Sequence, residues 1–342
     1  MKRWLLFSAV FMSWFVVALS AEPASTNRIA WNETVELGKG FWMRLAYIKG
    51  ERWLGVITRF PGHKAPSWLE IVESTNGCRA WATVARVEQS GRHLDNGNLL
   101  VMPDGAVLLT CRSLIDGESF RLPVFRSKDR GRTWAALSNI DSNEGATGTL
   151  FAKGLWEPHL FFLPDGRVSV VYSNEKHAGY SQILSEKVSK DGAKTWGEER
   201  RIVEEAGGGK LRPGMGVPAR MSDGRFILVY EIVGRGNADV YFKISKDGLQ
   251  WPEGLGTEMK GQHAAPFALA LTDGSLLVTS ASHQISLSTD LAQTWQTIAS
   301  PWDMPFKLTW PALYQVGTNR VLAVISNPQT RLRFGTWKAG FR

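Results

Sequence analysis

The eight residues SKDRGRTW, Ser127 to Trp134, read as a turn that locks itself. The aspartate side chain can take backbone N–H groups of the residues that follow it. Glycine supplies left-handed backbone, and the tryptophan packs under the loop. The pattern returns along the chain. SKDGAKTW (Ser189 to Trp196) and STDLAQTW (Ser288 to Trp295) keep its length, SKDGLQW (Ser245 to Trp251) is one residue shorter, and STNGCRAW (Ser74 to Trp81) has asparagine for aspartate. A single match would say little. Five matches spaced roughly fifty residues apart define a repeat, and they account for five of the fifteen tryptophans.

Outward from each box lies a second pattern: an apolar run, a tight turn rich in Gly and Asp, and another apolar run. It occurs six times, as RLAYIKGERWLGVITRF, LLVMPDGAVLLTCRS, HLFFLPDGRVSVVYS, PARMSDGRFILVYE, ALALTDGSLLVTSAS and ALYQVGTNRVLAVIS. This is hairpin chemistry. With these boxes and hairpins the chain resembles the Asp-box (bacterial neuraminidase repeat) proteins, the six-bladed β-propellers of the sialidase superfamily. The resemblance implies an all-β ring of six blades with four antiparallel strands each. The last blade runs out of chain after RLRFGTW. The N-terminal stretch RIAWNETVEL, Arg28 to Leu37, is expected to supply its fourth strand and close the ring.

Composition bounds the remaining questions. The chain has 342 residues, 44% of them hydrophobic, which is ample for a large core. The start, MKRWLLFSAVFMSWFVVALSA, has two basic residues, an apolar run and small residues at its exit. That is the pattern of a secretory signal over 1–21, leaving a single propeller over 22–342 that is secreted or periplasmic and has no membrane span. A monomer is expected. Without Lys2 and Arg3 the formal charge falls from +8 to +6, and the basic residues are scattered, so nucleic acid is not an expected partner. No metal-binding spacing occurs, and neither a metal nor another cofactor is expected. Cys78 and Cys111 are as compatible with a core role as with a disulfide.

Propeller geometry then sorts the polar residues. The Asp-Gly turns and the boxes fall on one face of the disc. The heads of the innermost strands and the ends of the second strands fall on the other, around a central funnel. These positions hold Arg44 and Arg59 in blade 1, and His93, Asp95, Asn96 and Arg112 in blade 2. Blade 3 gives Trp156, Glu157, Asn174 and Glu175, and blade 4 gives Arg212 and Glu231. His263 and His283 follow in blade 5, and Thr309 and Trp310 in blade 6. Carboxylates with guanidiniums, amides and tryptophans make a sugar site, with an oligo- or polysaccharide as the ligand. Glu157 lies between Trp156 and Pro158, and Glu231 ends the apolar run FILVYE, where burial raises a carboxyl pKa.

The segments GLWEPHLFFLPDGRVSVVYSNE, SKDGAKTWG, RPGMGVPARMSDGRFILVYE and YFKISKDGLQW narrow the resemblance to the exo-acting α-L-arabinanases. That resemblance implies a retaining glycosidase with Glu157 as nucleophile and Glu231 as acid/base. It also implies that Arg44 and the segment Arg212 to Met215 shape the pocket. One departure stands out. The family has a tyrosine near the head of the last inner strand, assisting the nucleophile. Here that stretch reads KLTWPAL, and the next tyrosine is Tyr314, expected further down the strand. Two rivals remain open. A sialidase would need an arginine triad, to which Arg44 could contribute. A non-catalytic propeller would use the funnel only to bind.

Overall fold

The computed structural model describes residues 28–62, 65–145, 153–304 and 309–339, so the expected signal segment 1–21 lies outside the described residues. They form six four-stranded antiparallel sheets, with no helix among them. In blades 1 to 5 the strands pair in simple chain order. The innermost strands are Phe41–Lys49, His93–Val101, Leu155–Phe162, Arg212–Arg220 and Phe267–Ala270. Blade 6 runs outward through Ala312–Gly317, Arg320–Ser326 and Gln329–Trp337. It takes its outermost strand, Ile29–Lys39, from the N-terminus, pairing from Ile29 opposite Trp337 to Lys39 opposite Gln329. Each inner strand packs on those of its two neighbours, and blade 1 packs on blade 6, so the ring is closed as the sequence predicts.

Burial follows position in the blade. The second strand of blade 3, VSVVYSN over Val168–Asn174, is buried at every residue because neighbouring blades cover both its faces. The outermost strand Ile29–Lys39 meets solvent over most of its length. The PDG turn is a type I turn closed by Gly166 N–H on Leu163 O (3.0 Å), with Asp165 accepting from Arg167 N–H. Gly166 is left-handed (φ 85°), as this turn requires. The same bonds recur at Gly105, Gly224 and Gly274.

The boxes lock as their sequence suggests. Ser127 Oγ accepts from Gly131 N–H (2.8 Å) and donates to Asp129 Oδ1 (2.8 Å). Asp129 in turn accepts from Arg132 N–H, Thr133 N–H and the Thr133 hydroxyl. Asp191 and Asp290 repeat the set. One detail differs from expectation. Two successive residues are left-handed, and one or both can be non-glycine: Arg130 with Gly131, Gly192 with Ala193, Leu291 with Ala292. The side-chain acceptors over-determine the turn and so hold backbone that glycine would otherwise have to supply. Cys78 and Cys111 are both buried free thiols, which settles their pairing in favour of the core role.

These bonds hold the carboxyls of Asp129, Asp191 and Asp290 down at about 2, chiefly through the threonine hydroxyls. A depressed folded-state pKa stabilises fully above the unfolded value, near 4, and that contribution is lost as pH falls through about 2. In blade 1, Asn76 Oδ1 accepts from Ala80 N–H (2.9 Å) with no charge. An Asp129→Asn, Asp191→Asn, Asp290→Asn chain should therefore lose part of the acid dependence of its unfolding free energy between about pH 4 and 2. Unchanged curvature in urea titrations across that range would contradict this account.

Candidate active site

The funnel is built by one backbone device used four times. In blades 1 to 4 the inner strand carries a bulge two to four residues from its head, with two of its residues facing one on the second strand. The breaks in register lie between Phe41 and Arg44, Asp95 and Asn98, Trp156 and His159, and Gly214 and Val217. The first bulged residue is left-handed each time: Trp42 (φ 49°), Asn96 (53°), Glu157 (54°) and Met215 (52°). A bulge re-aims side chains and takes an amide out of the ladder. Here the bulges of all four blades line one central pocket. Its wall comprises Trp42 and Arg44, Asn96 to Asn98, Glu157 to His159, and Met215 to Val217. Gly97 and Gly216 are required by packing, since an added Cβ would lie 2.6 Å from Val56 and 2.8 Å from Val171.

A second row stands behind the first. Opposite the residue that precedes each bulge, the second strand places Thr58, Arg112, Ser173 and Glu231 at equivalent positions. Three of these four engage the groups of the funnel. Ser173 donates to Glu157 Oε2 (2.9 Å). Arg112 grips Asp95 with two nitrogens, Nε donating at 2.7 Å, and lies 3.8 Å above the ring of Trp156. Glu231 Oε2 accepts from Ala265 N–H (2.6 Å), and Ala265 is itself left-handed (φ 47°). Glu157 Oε2 likewise accepts the bulge amide of the next blade, Met215 N–H (2.9 Å). Each glutamate is thus held by an amide that the neighbouring blade has freed from its own ladder.

The electrostatics separate the two carboxyls. Glu157 opens onto the funnel but is otherwise enclosed by protein. Burial raises its pKa, while the Ser173 hydroxyl, the Met215 amide and the charge of Arg112 oppose the rise. Glu231 has fewer supports. Burial first, and then the negative charge of Glu157, push it up to about 7, against the Ala265 amide and Arg212. Arg212 is paired with Glu175, which also accepts from Gly154 N–H (2.6 Å), and it donates to Gln182 Oε1 (2.9 Å). Arg44 is buried without a carboxylate bond. It donates to Met43 O (3.0 Å) and Trp310 O (3.4 Å) and lies 5.4 Å from the ring centre of Phe267. Burial and then Arg44 press His159 down to about 3, so its ring is neutral.

Of the residues named from sequence, Arg44, Asn96 and Glu157 line the pocket. Asp95 and Arg112, joined to each other and stacked on Trp156, line a second cavity instead, Arg212 is paired with Glu175, and Glu231 bears on Glu157 from blade 4. Trp310 packs on Trp42 with ring centres 4.3 Å apart. Others are not brought to the wall, among them His93, Asn174 and His283. His93 accepts from Ser67 N–H and, with Arg59, lines that second cavity of about 770 Å3. Asn174 is fully buried and turned outward, onto Ser185 and Glu199. His283 is buried against Thr309. Tyr314 lies down the channel, as expected, and its hydroxyl accepts from Leu45 N–H (2.9 Å). Met215, at the end of the segment the resemblance assigned to the pocket, does line it, whereas sequence reading missed Trp42, Asn98, His159 and Ser173. Among the described residues, no group of three or more His, Cys, Asp or Glu stands where it could hold a metal.

The family described as BNR repeat-like domain matches residues 142–335. No curated protein matches the chain in sequence. Among solved structures, an α-L-arabinofuranosidase of Fusarium graminearum, in complex with arabinobiose, is similar at a TM-score of 0.78 and 19% identity, over 90% of this chain and 98% of that one. An α-L-arabinanase of Penicillium chrysogenum, also with arabinobiose, gives 0.77 and 20% over 89% and 98%. A sialidase of Streptococcus pneumoniae gives 0.64 and 9% over 87% and 69%. At these identities the likeness is one of fold.

The Asp95–Arg112 pair makes a stability prediction. Asp95→Ala leaves a buried guanidinium without its partner and should cost ~3–5 kcal/mol in denaturant unfolding. Adding Arg112→Met should recover a large part of that cost. Equal costs in the single and double variants would show that the stranded charge is not the cause.

Proposed function

The chain belongs to the family of BNR repeat-like domains, and we propose that its funnel is the active site of a retaining exo-glycosidase acting on neutral, arabinofuranosyl-type glycans. The observation that carries this reading is the pair of half-buried glutamates on adjacent blades with unequal supports. Burial raises both carboxyls, but at Glu157 a hydroxyl, an amide and the charge of Arg112 oppose the rise, whereas burial and then Glu157 take Glu231 up to about 7. Two neighbouring carboxyls with unequal support can divide into nucleophile and acid, the better-supported Glu157 taking the charge and Glu231 the proton.

The reaction follows from that division. Glu157 attacks the anomeric carbon as the glycosidic C–O bond breaks, and Glu231 gives its proton to the leaving oxygen. A glycosyl ester remains on Glu157. Glu231, now charged, takes a proton from water as that water attacks the anomeric carbon, and the sugar leaves with its configuration retained. In the first step the charge on Glu157 disappears, which eases the ionisation of Glu231 just when it must act as a base.

Charge balance favours a neutral sugar over sialic acid. Of the three funnel arginines, Arg112 is bound to Asp95 and Arg212 to Glu175. Only Arg44 is left for a ligand, so a carboxylate-binding triad is not free. Asn96, Asn98 and the neutral ring of His159 are groups suited to hydroxyls. The two arabinobiose-bound structures among the fold relatives agree with this choice of sugar. On the same reading residues 1–21 are removed on export, and 22–342 work outside the cytoplasm as a monomeric propeller.

The test is a substrate panel of arabinan, debranched arabino-oligosaccharides and a sialyl reporter. Release from the neutral glycans is expected. Sialic acid release with no action on neutral glycans would sink the proposal, and binding without turnover would make the propeller a lectin-like module. Glu157→Ala and Glu231→Ala should each lower kcat/KM by roughly 10²–10⁴-fold. With Glu231 at about 7, activity should fall as pH rises through that value, because the acid then loses its proton before substrate binds.

A further inference from the structure

The nucleophile in this reading lacks the last-blade tyrosine that the resemblance leads one to expect. Tyr314 accepts from Leu45 N–H, and burial lifts its hydroxyl to about 12. Charged and titratable groups face Glu157 from several blades: Arg44 from blade 1, Asp95 and Arg112 from blade 2, and Glu231 from blade 4. Asp95 and Arg112 largely cancel as a pair. Glu231 in its neutral form adds no charge. What directly holds the carboxylate is a hydroxyl and an amide.

We propose that Ser173 is the positioning residue of Glu157, fixing its carboxylate for attack together with the Met215 amide. Three observations carry this. Ser173 occupies the second-strand position that holds Arg112 in blade 2 and Glu231 in blade 4, so the fold aims it at the funnel. Its hydroxyl donates to Glu157 Oε2 at 2.9 Å, while Met215 N–H reaches both that oxygen (2.9 Å) and Ser173 Oγ (3.3 Å). The three atoms therefore form a closed set in which each fixes the other two. The third observation is the space left for them. At Gly214 an added Cβ would lie 3.4 Å from Ser173 Oγ, 3.5 Å from Glu157 Oε2 and 2.7 Å from Gln182 Nε2. Glycine there lets the blade 4 backbone come close enough for its amide to be shared. A hydroxyl that donates to the anion and receives the same amide favours the charged form and sets its direction.

The inference rests on reading Glu157 as the nucleophile, but its test needs no substrate. The titration of the Glu157 carboxyl is followed by carbon-13 NMR of the full chain labelled at glutamate Cδ, with Glu157→Gln assigning the signal. Ser173→Ala should raise the midpoint by roughly one pH unit, and Ser173→Thr, which restores the hydroxyl, should bring it back. Glu231 should move much less. An unmoved Glu157 midpoint in Ser173→Ala overturns the proposal. So does an equal shift at Glu231, or a Ser173→Ala chain that no longer folds, since either makes Ser173 a packing residue. On any glycan the panel finds, Ser173→Ala should lower kcat, leave KM within about twofold, and move the acid limb of the pH profile upward. If no glycan is turned over, the catalytic reading fails while the titration still reports on Ser173.

Discussion

The site depends on one backbone constraint: in each of four neighbouring blades, one residue of the innermost strand is held left-handed inside a bulge. For a non-glycine residue this conformation costs of order 1–3 kcal/mol, and it persists only where its surroundings over-determine it. Trp42, Asn96, Glu157 and Met215 all adopt it. In exchange, four side chains that a regular strand would set by simple alternation turn into one pocket, and amides leave the ladder to serve as donors. Glu157 takes one of these amides, from blade 4, and Glu231 takes another from the left-handed pair at Ala264 and Ala265. Below the bulges the linkage continues, with Leu160 N–H donating to Asn98 Oδ1 across blades 2 and 3 (3.0 Å). The chemistry and the seams between blades thus share the same hydrogen bonds.

The electrostatic design follows from that geometry. The funnel gathers three guanidiniums and four carboxyls, and almost every charge is answered by a specific neighbour. Asp95 cancels Arg112, and Glu175 cancels Arg212. Arg44 and Glu157 then remain to balance one another, with Glu231 able to stay protonated. Inside the protein, where the effective dielectric is low, small differences in support are magnified. The hydroxyl of Ser173 and the amide of Met215 oppose the rise at Glu157, and Glu231 has only an amide and the more distant Arg212 to do the same. The Asp boxes on the opposite face carry their charges in solvent, where they serve the turn alone.

Much of the architecture was legible because the boxes and the hairpin turns carry their chemistry in contiguous residues. Ser, Asp and Thr at fixed spacing predict their own hydrogen bonds, and Ile29–Lys39 could be assigned to the last blade because that blade was one strand short. The site was legible only in part. Both glutamates and their arginines announce themselves as charges beside apolar runs. The bulges do not. Trp-Met, Asn-Gly, Glu-Pro and Met-Gly share no sequence sign, so the shift in alternation behind each was invisible. That shift hides the residues just beyond each bulge, while on the second strands the choice of face alone decides. At the end of the blade 3 second strand the eye picks Asn174, whereas the period of two sends Asn174 outward and Ser173 into the funnel. His159 and Asn98 reach the pocket wall through the shift, one place beyond a bulge. His93 and His283 were placed by strand ends alone, and their side chains are taken up by Ser67 and Thr309.

The most direct test of the central claim is to find where a glycosyl group becomes attached during turnover. A mechanism-based furanosyl inactivator, such as an arabinose-configured epoxide, would trap the covalent intermediate, and peptide mass mapping would locate it. The account predicts one adduct per chain, on Glu157, forming at the same rate as activity is lost. Attachment at Glu231, or turnover that leaves no adduct and releases a sugar of inverted configuration, would contradict it.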